Sequence, residues 1–228
     1  MDEFPELTDP KNESSVFPST MIRQSFPVGP LQCNCSIIGN SITKEAIVVD
    51  PGGEADEIFQ KTQNMGLKIV QIIHTHAHLD HFLASGKLQK LCGASLALHK
   101  EDKPLWDNLE SQCLMFNIPY SPVPPPDHWL VHEEELKCLD GKAIHTPGHT
   151  PGSMSFWFKK SKLLIAGDTL FRGSIGRTDL WGGDSQKIIQ SIKALYQLDD
   201  DATVVTGHGP DTKIEDEKRS NPFVNGSS

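Results

Sequence analysis

The stretch Ile72-Ile73-His74-Thr75-His76-Ala77-His78-Leu79-Asp80-His81 sets four histidines and an aspartate directly behind an apolar run. Imidazole nitrogen and carboxylate oxygen together form a donor set for divalent cations such as Zn²⁺, Fe or Mn²⁺. Val70, Ile72 and Ile73 read as a buried strand, and a period of two puts His76 and His78 on one face as the chain leaves the sheet. Asp80 and His81 fall where a helix would begin, so they approach the same point from another direction. His74 sits at a displaced position on the strand and is expected to pack or to support a ligand.

Three single residues elsewhere carry compatible chemistry. His149 is held in Thr146-Pro147-Gly148-His149-Thr150-Pro151-Gly152-Ser153, a turn dense enough in proline and glycine to fix one side chain rigidly. Asp168 closes an apolar run at Gly167-Asp168, and His208 stands in Gly207-His208-Gly209-Pro210. Taken one at a time, each reads equally well as a turn or capping residue. Asp50, at another strand end, is either a partner of a ligand histidine or a turn starter. Arg172 and Arg177 either bind an anionic substrate or pair with Asp179 and Asp184. His145 reads as a supporting residue, and His99, His128 and His132 as surface residues.

The elements that must position these groups follow from the apolar pattern. Strands are expected at 34–38 and 46–49 as a hairpin, then a helix at 55–65 and a strand at 67–73, a β-α-β unit. A helix from Phe82 to Cys92 stops at Gly93, and a strand follows at 95–99. Residues 101–134 read as a helical excursion and a stiff loop, because Pro122, Pro124, Pro125 and Pro126 interrupt any regular element. Strands are expected at 135–138, 143–145, 154–158, 162–166 and 202–205. An irregular loop covers 171–183, an amphipathic helix runs through Ile188, Ile192 and Tyr196, and a charged helix or tail closes the chain.

The whole chain sets wider bounds. Its 228 residues fit one domain, with order expected from Met21 to Phe223, a flexible polar segment at 1–20 and a tail at 224–228. A net charge of −9 argues against nucleic acid as the main partner, and no apolar run is long enough for a membrane span. The five cysteines form no CxxC pair and read as reduced thiols. The first residues lack the pattern of a signal or transit peptide, so a cytoplasmic setting is expected.

Taken in order, HxHxDH at 76–81, the histidine of TPGHTPGS, the aspartate of Gly167-Asp168 and the histidine of Gly207-His208-Gly209 resemble the metallo-β-lactamase superfamily from about Met21 to Phe223. Asp168, with the loop Phe171-Arg172-Gly173-Ser174-Ile175-Gly176-Arg177-Thr178-Asp179, is similar to the glyoxalase II (hydroxyacylglutathione hydrolase) branch. The resemblance implies an α/β fold, an αββα sandwich of one domain, with a binuclear centre of two divalent ions, Zn²⁺ first and Fe or Mn as alternatives. His76, His78 and His149 would hold one ion, Asp80, His81 and His208 the other, and Asp168 would bridge them. It implies a hydrolase in which a metal-bridging hydroxide cleaves a small-molecule thioester of the hydroxyacylglutathione kind, with Asp80 orienting the nucleophile or shuttling its proton. The alternatives are a persulfide dioxygenase with one iron, and hydrolysis of another ester or a lactone. Longer members of the branch continue into a helical C-terminal domain that contacts glutathione, whereas this chain ends soon after His208 and resembles the short form.

Overall fold

A computed structural model describes residues 20–224; the expected flexible segment 1–20 and tail 224–228 lie outside the described residues except for Thr20 and Val224. Val224 is buried, and its carbonyl accepts a hydrogen bond from the Tyr196 hydroxyl, so packing continues past Phe223.

Two mixed sheets face each other. The first takes its strands in chain order: β1 (Met21–Val28), β2 (Cys33–Asn40), β3 (Glu45–Val49), β4 (Lys68–Ile73), β5 (Ser95–His99) and β6 (His128–Leu130). β1, β2 and β3 pair antiparallel, then β3 to β6 run parallel, with helix α1 (Ala55–Asn64) making the crossover from β3 to β4. The second sheet contains β7 (Gly141–His145), β8 (Met154–Phe158), β9 (Leu163–Gly167), β12 (Thr203–Thr206) and β13 (Thr212–Lys213), with β9 parallel to β12. A small separate hairpin pairs β10 (Leu170–Phe171) with β11 (Ser174–Ile175).

The apolar runs that lack alternation are explained by burial on both faces. Ala46 and Val48 face the helices α1, α2 (Leu79–Phe82), α3 (Ser85–Cys92), α4 (Lys103–Asp107) and α5 (Leu109–Met115), while Ile47 and Val49 face the opposite sheet. In the second sheet Leu163 and Ile165 point inward, and Leu164 and Ala166 pack under α6 (Ser185–Leu195) and α7 (Ile214–Ser220). Helix, sheet, sheet and helix thus form four layers, the αββα sandwich. Asp184 caps α6 by accepting from the backbone N–H groups of Gln186 and Lys187 at 2.9 and 3.0 Å.

Several expected elements differ. The 82–92 helix is two pieces, α2 and α3, joined at Leu83 and Ala84, which lets Asp80 and His81 sit on a separate first turn. Residues 135–138 form no strand: only Glu135 bridges to Lys142, and the chain reverses at Cys138, whose φ is 66°. The proline-rich segment hides β6, three residues long, and the irregular 171–183 loop begins inside the hairpin of β10 and β11. The closing charged segment is α7.

Candidate metal centre

The candidate residues arrive from the ends of four strands. His76, His78, Asp80 and His81 follow β4, His149 follows β7, Asp168 follows β9 and His208 follows β12. Because β4 and β9 lie in different sheets and both end at this edge, the crevice outside the strand ends gathers all seven side chains, as expected for a sheet edge where strand order leaves room for ligands.

Two groups of donors result. His76, His78 and His149 bring one ligand atom each within 4.8 Å of one another, with His78 Nδ1 only 2.9 Å from His149 Nε2. His149 Nδ1 lies 2.8 Å from the Arg177 carbonyl, so it carries the proton and leaves Nε2 as a lone pair aimed into the crevice. Asp80, His81 and His208 form the other group, with His208 Nε2 3.1 Å and His81 Nε2 3.7 Å from Asp80 Oδ2. Asp168 faces both: Oδ2 is 3.5 Å from His149 Nε2, and Oδ1 is 3.5 Å from His81 Nε2. Only glycine permits this, since a Cβ on Gly207 would lie 1.9 Å from Asp168 Oδ1.

Burial sets the charge state. It holds His76 and His149 below the ordinary imidazole value and His78 down at about 3, so all three are neutral bases at pH 7. Burial also opposes charge on His81 and His208, but neighbouring groups win. Cys33, Asp80, Asp168 and Asp50 raise His81, and Asp80 and Asp168 raise His208. Against its own burial, His81 and the hydrogen bond from His208 hold the Asp80 carboxyl well below the usual range. Of the four buried side-chain atoms without a hydrogen-bond partner among the described residues, three belong to the candidate ligands, His76 Nε2, His81 Nε2 and Asp168 Oδ1, and the fourth is Ser95 Oγ. Orphaned polar atoms at this depth cost free energy unless something else satisfies them; cations in the crevice would do so, and the neutral-imidazole and carboxylate donors fit them.

Asp50 resolves toward the ligand-partner reading. Its Oδ2 accepts from the Thr75 hydroxyl at 2.6 Å and from His81 Nδ1 at 3.0 Å, while Oδ1 accepts from the Thr75 backbone N–H at 2.7 Å. With Nδ1 donating to Asp50, the neutral form of His81 that can bind a cation presents its Nε2 lone pair to the crevice. The start of β2 holds the His208 loop, since Asn34 donates from its backbone N–H to the Gly207 carbonyl and from Nδ2 to Thr206 and Gly209. His74 stays out of the crevice: its ring nitrogens lie 2.9 Å from the Ala97 carbonyl and 2.7 Å from Ser85 Oγ, and burial pushes it down to about 4.

The residues from 28 to 208 match the model of the metallo-β-lactamase superfamily. The chain belongs to that superfamily. Among its members, the hydroxyacylglutathione hydrolase GloC of Haemophilus influenzae is 40% identical over 208 residues, covering 89% of this chain and 98% of that protein. The probable metallo-hydrolase YqgX of Bacillus subtilis is 37% identical, covering 89% of this chain and 97% of that protein. Among solved structures, TTHA1623 in a di-iron-bound form superimposes with a TM-score of 0.82 at 32% identity, covering 88% of this chain and all of that one. The chain is thus an enzyme of a metallo-hydrolase superfamily whose members bind two metal ions.

The side chains around the centre divide between the expected and the unexpected. His99 is half-buried, its ring stacked on His145 at 4.2 Å, where the sequence reads as surface. Arg177 takes the pairing alternative, forming a two-pronged ion pair with Asp179 at 2.7 Å, whereas Asp184 caps α6 and faces Lys187. Asp102 and Gln112, invisible as functional residues within the helical excursion, reach the ligand loop through its backbone. No short-range pattern marks them, because their partners are peptide groups about 25 and 35 residues away.

Proposed function

We propose that His76, His78 and His149 hold one divalent ion, that Asp80, His81 and His208 hold a second, that Asp168 bridges the two, and that the protein hydrolyses a small-molecule thioester of the hydroxyacylglutathione type. The observation that carries the metal assignment is the set of three buried, partnerless atoms, His76 Nε2, His81 Nε2 and Asp168 Oδ1, each contributed by a different one of the proposed ligands. The thioester assignment rests on the likeness to GloC across nearly all of that protein's length. Zn²⁺ suits the donors, and Fe or Mn suits them as well. With five unpaired cysteines among the described residues, a reducing compartment such as the cytoplasm is the setting that fits.

Two ions held here would lower the pKa of a water toward neutrality and supply a Lewis acid for the carbonyl. The protein's own groups then do the rest. Asp80, ionised and only slightly exposed, would orient the attacking water by accepting a hydrogen bond from it at its carboxylate. The carbon–sulfur bond breaks, one water is consumed, and the products are an acid and a thiol. His208, the most open of the seven with 31% of its side chain exposed, lies at the mouth. A cleft of about 320 Å³ in front of the site is walled by Leu31, Phe116 and Leu180, with Arg177 at its side. Those apolar walls offer contact to the organic part of a thioester substrate, and the guanidinium beside them is engaged by Asp179.

Metal analysis of freshly purified protein, coupled to turnover of S-lactoylglutathione, other acyl thioesters and a lactone series, tests the reading. Two ions per chain with thioester turnover is the expected result. Metal-replete protein without thioester turnover refutes it, and oxygen uptake with glutathione persulfide on a single iron would establish the dioxygenase instead.

A further inference from the structure

The segment Lys100 to Met115, which contributes no proposed ligand, grips the loop that does. Ala77 lies between His76 and His78, and both of its backbone groups go to side chains of this segment. Its N–H donates to Asp102 Oδ2 at 2.9 Å, and its carbonyl accepts from Gln112 Nε2 at 3.1 Å. Gln112 Oε1 also accepts from the Leu79 N–H at 3.0 Å. Asp102 is fully buried and reaches the other loop too: the hydroxyl of Thr150, next to His149, donates to Oδ2 at 2.8 Å, and the Gly152 N–H donates to Oδ1 at 2.6 Å. A Cβ on Gly152 would come within 2.7 Å of Asp102 Oδ1, so glycine is what allows this approach.

We infer that Asp102 is a positioning residue, a buried carboxylate that sets the separation of the His76–His78 loop from the His149 loop and thereby the affinity of the three-histidine group for its ion. The inference rests on the metal reading above. Three donors converge on one carboxylate from the two loops, whose bases are also joined by the Met154 N–H donating to the Thr75 carbonyl at 2.7 Å. Ionised Asp102 accepts all three. In Asp102→Asn the amide must set an N–H₂ against one of these donors, so one loop is pushed away while side-chain volume is unchanged. Outer partners of this kind change metal affinity by about 10- to 100-fold.

The test is stepwise Zn²⁺ affinity by competition with a chromophoric chelator, with the absorption spectrum of the Co²⁺-loaded protein as a second readout. Asp102→Asn is expected to weaken one of the two binding steps by about 10- to 100-fold and to shift the Co²⁺ bands, leaving the other step within about threefold. Thr150→Val, which keeps the volume and removes one donor, should weaken the same step, and Thr150→Ser should restore it. Leu195→Ala, a core truncation under the second sheet, should lower the melting temperature without moving either step. Should Asp102→Asn fail to fold, the Thr150 pair decides alone. Wild-type protein binding two ions with both steps unchanged in Asp102→Asn or Thr150→Val overturns the inference and spares the metal reading, whereas wild-type protein binding no ion overturns both.

Discussion

Replacing Asp50 with asparagine separates the two proposed ions. Asp50 accepts three hydrogen bonds, two from Thr75 and one from His81 Nδ1 at 3.0 Å, in a place where neither the aspartate nor the histidine side chain is more than 2% exposed. Asparagine preserves the shape, but its single acceptor oxygen is claimed by the Thr75 N–H. The amide N–H₂ then faces His81 Nδ1 and demands a lone pair there. His81 answers by changing tautomer, its Nδ1 accepting from the introduced amide or from the Cys33 thiol 3.3 Å away, and its proton moves to Nε2. That proton occupies the lone pair His81 presents to the crevice. An altered outer partner costs about 10- to 100-fold in metal affinity, or about 1.4–2.7 kcal/mol, and the cost should fall on the ion held with Asp80 and His208. Dialysis against buffered free Zn²⁺ followed by elemental analysis reads the two occupancies. The expected outcome is loss of one ion at a free concentration that keeps both in the wild type, with circular dichroism unchanged. Two retained ions, or equal weakening of both in a folded variant, would refute the tautomer argument.

Asp168→Ala should release at least one ion and abolish hydrolysis; retention of both ions with a full rate, measured by elemental analysis and thioester turnover, would remove Asp168 from the bridging position. Ser85→Ala leaves a buried nitrogen of His74 without its 2.7 Å partner, and chemical denaturation should show a loss of about 1–3 kcal/mol with metal content intact. Burial pushes Asp102 up to about 6 from 3.8, so the folded state holds that proton more tightly than the unfolded state and the ionised form costs stability. The cost is absent below about 3.8 and grows until pH passes about 6. In chelator-treated protein, wild type should therefore gain on the order of 3 kcal/mol relative to Asp102→Asn between pH 7 and pH 4; a constant difference across that range contradicts the assignment. Phe116→Ala should raise KM for thioesters more than it lowers kcat, since Phe116 lines the cleft and lies outside both donor groups; initial-rate kinetics with a long and a short acyl series would reveal an effect confined to kcat instead.

How much of this was legible follows from the range over which each signal acts. The sandwich was expected from the family resemblance and from strands and helices that each lead into a loop of donor residues, and the structure explains why runs such as Ala46-Ile47-Val48-Val49 are apolar at every position: that strand is buried on both faces. Four of the seven proposed donors stand out because metal chemistry restricts residue type so narrowly that His76-x-His78-x-Asp80-His81 is conspicuous, whereas His149, Asp168 and His208, each readable singly as a turn residue, are picked out only by their order with that cluster. β6 was not readable, since three residues paired to β5 through backbone groups leave no period to count. Nor was the 135–138 reversal, where a positive φ at Cys138 replaces the strand that its apolar neighbours suggest.

The residues that hold the donors in place obey a different rule, and this bears on where variation in such a chain would be felt. Asp50 could be suspected because it ends a strand next to the ligand strand, and parallel pairing of β3 with β4 brings its carboxylate to Thr75 and His81. Asp102 follows β5 by the same geometry, since β5 pairs parallel to β4 on the other side. The two carboxylates thus flank the ligand loop from neighbouring strand ends. One orients an imidazole through its side chain, and the other fixes the peptide between two imidazoles. Side-chain partners demand a matching chemistry and leave a trace in the sequence, whereas a peptide N–H is the same at every position and leaves none. A carboxylate at the end of a strand adjacent to a ligand strand is therefore a better guide than its immediate neighbours in the chain, and the divergent expected losses in Asp50→Asn and Asp102→Asn, one from each donor group, put that rule to the test.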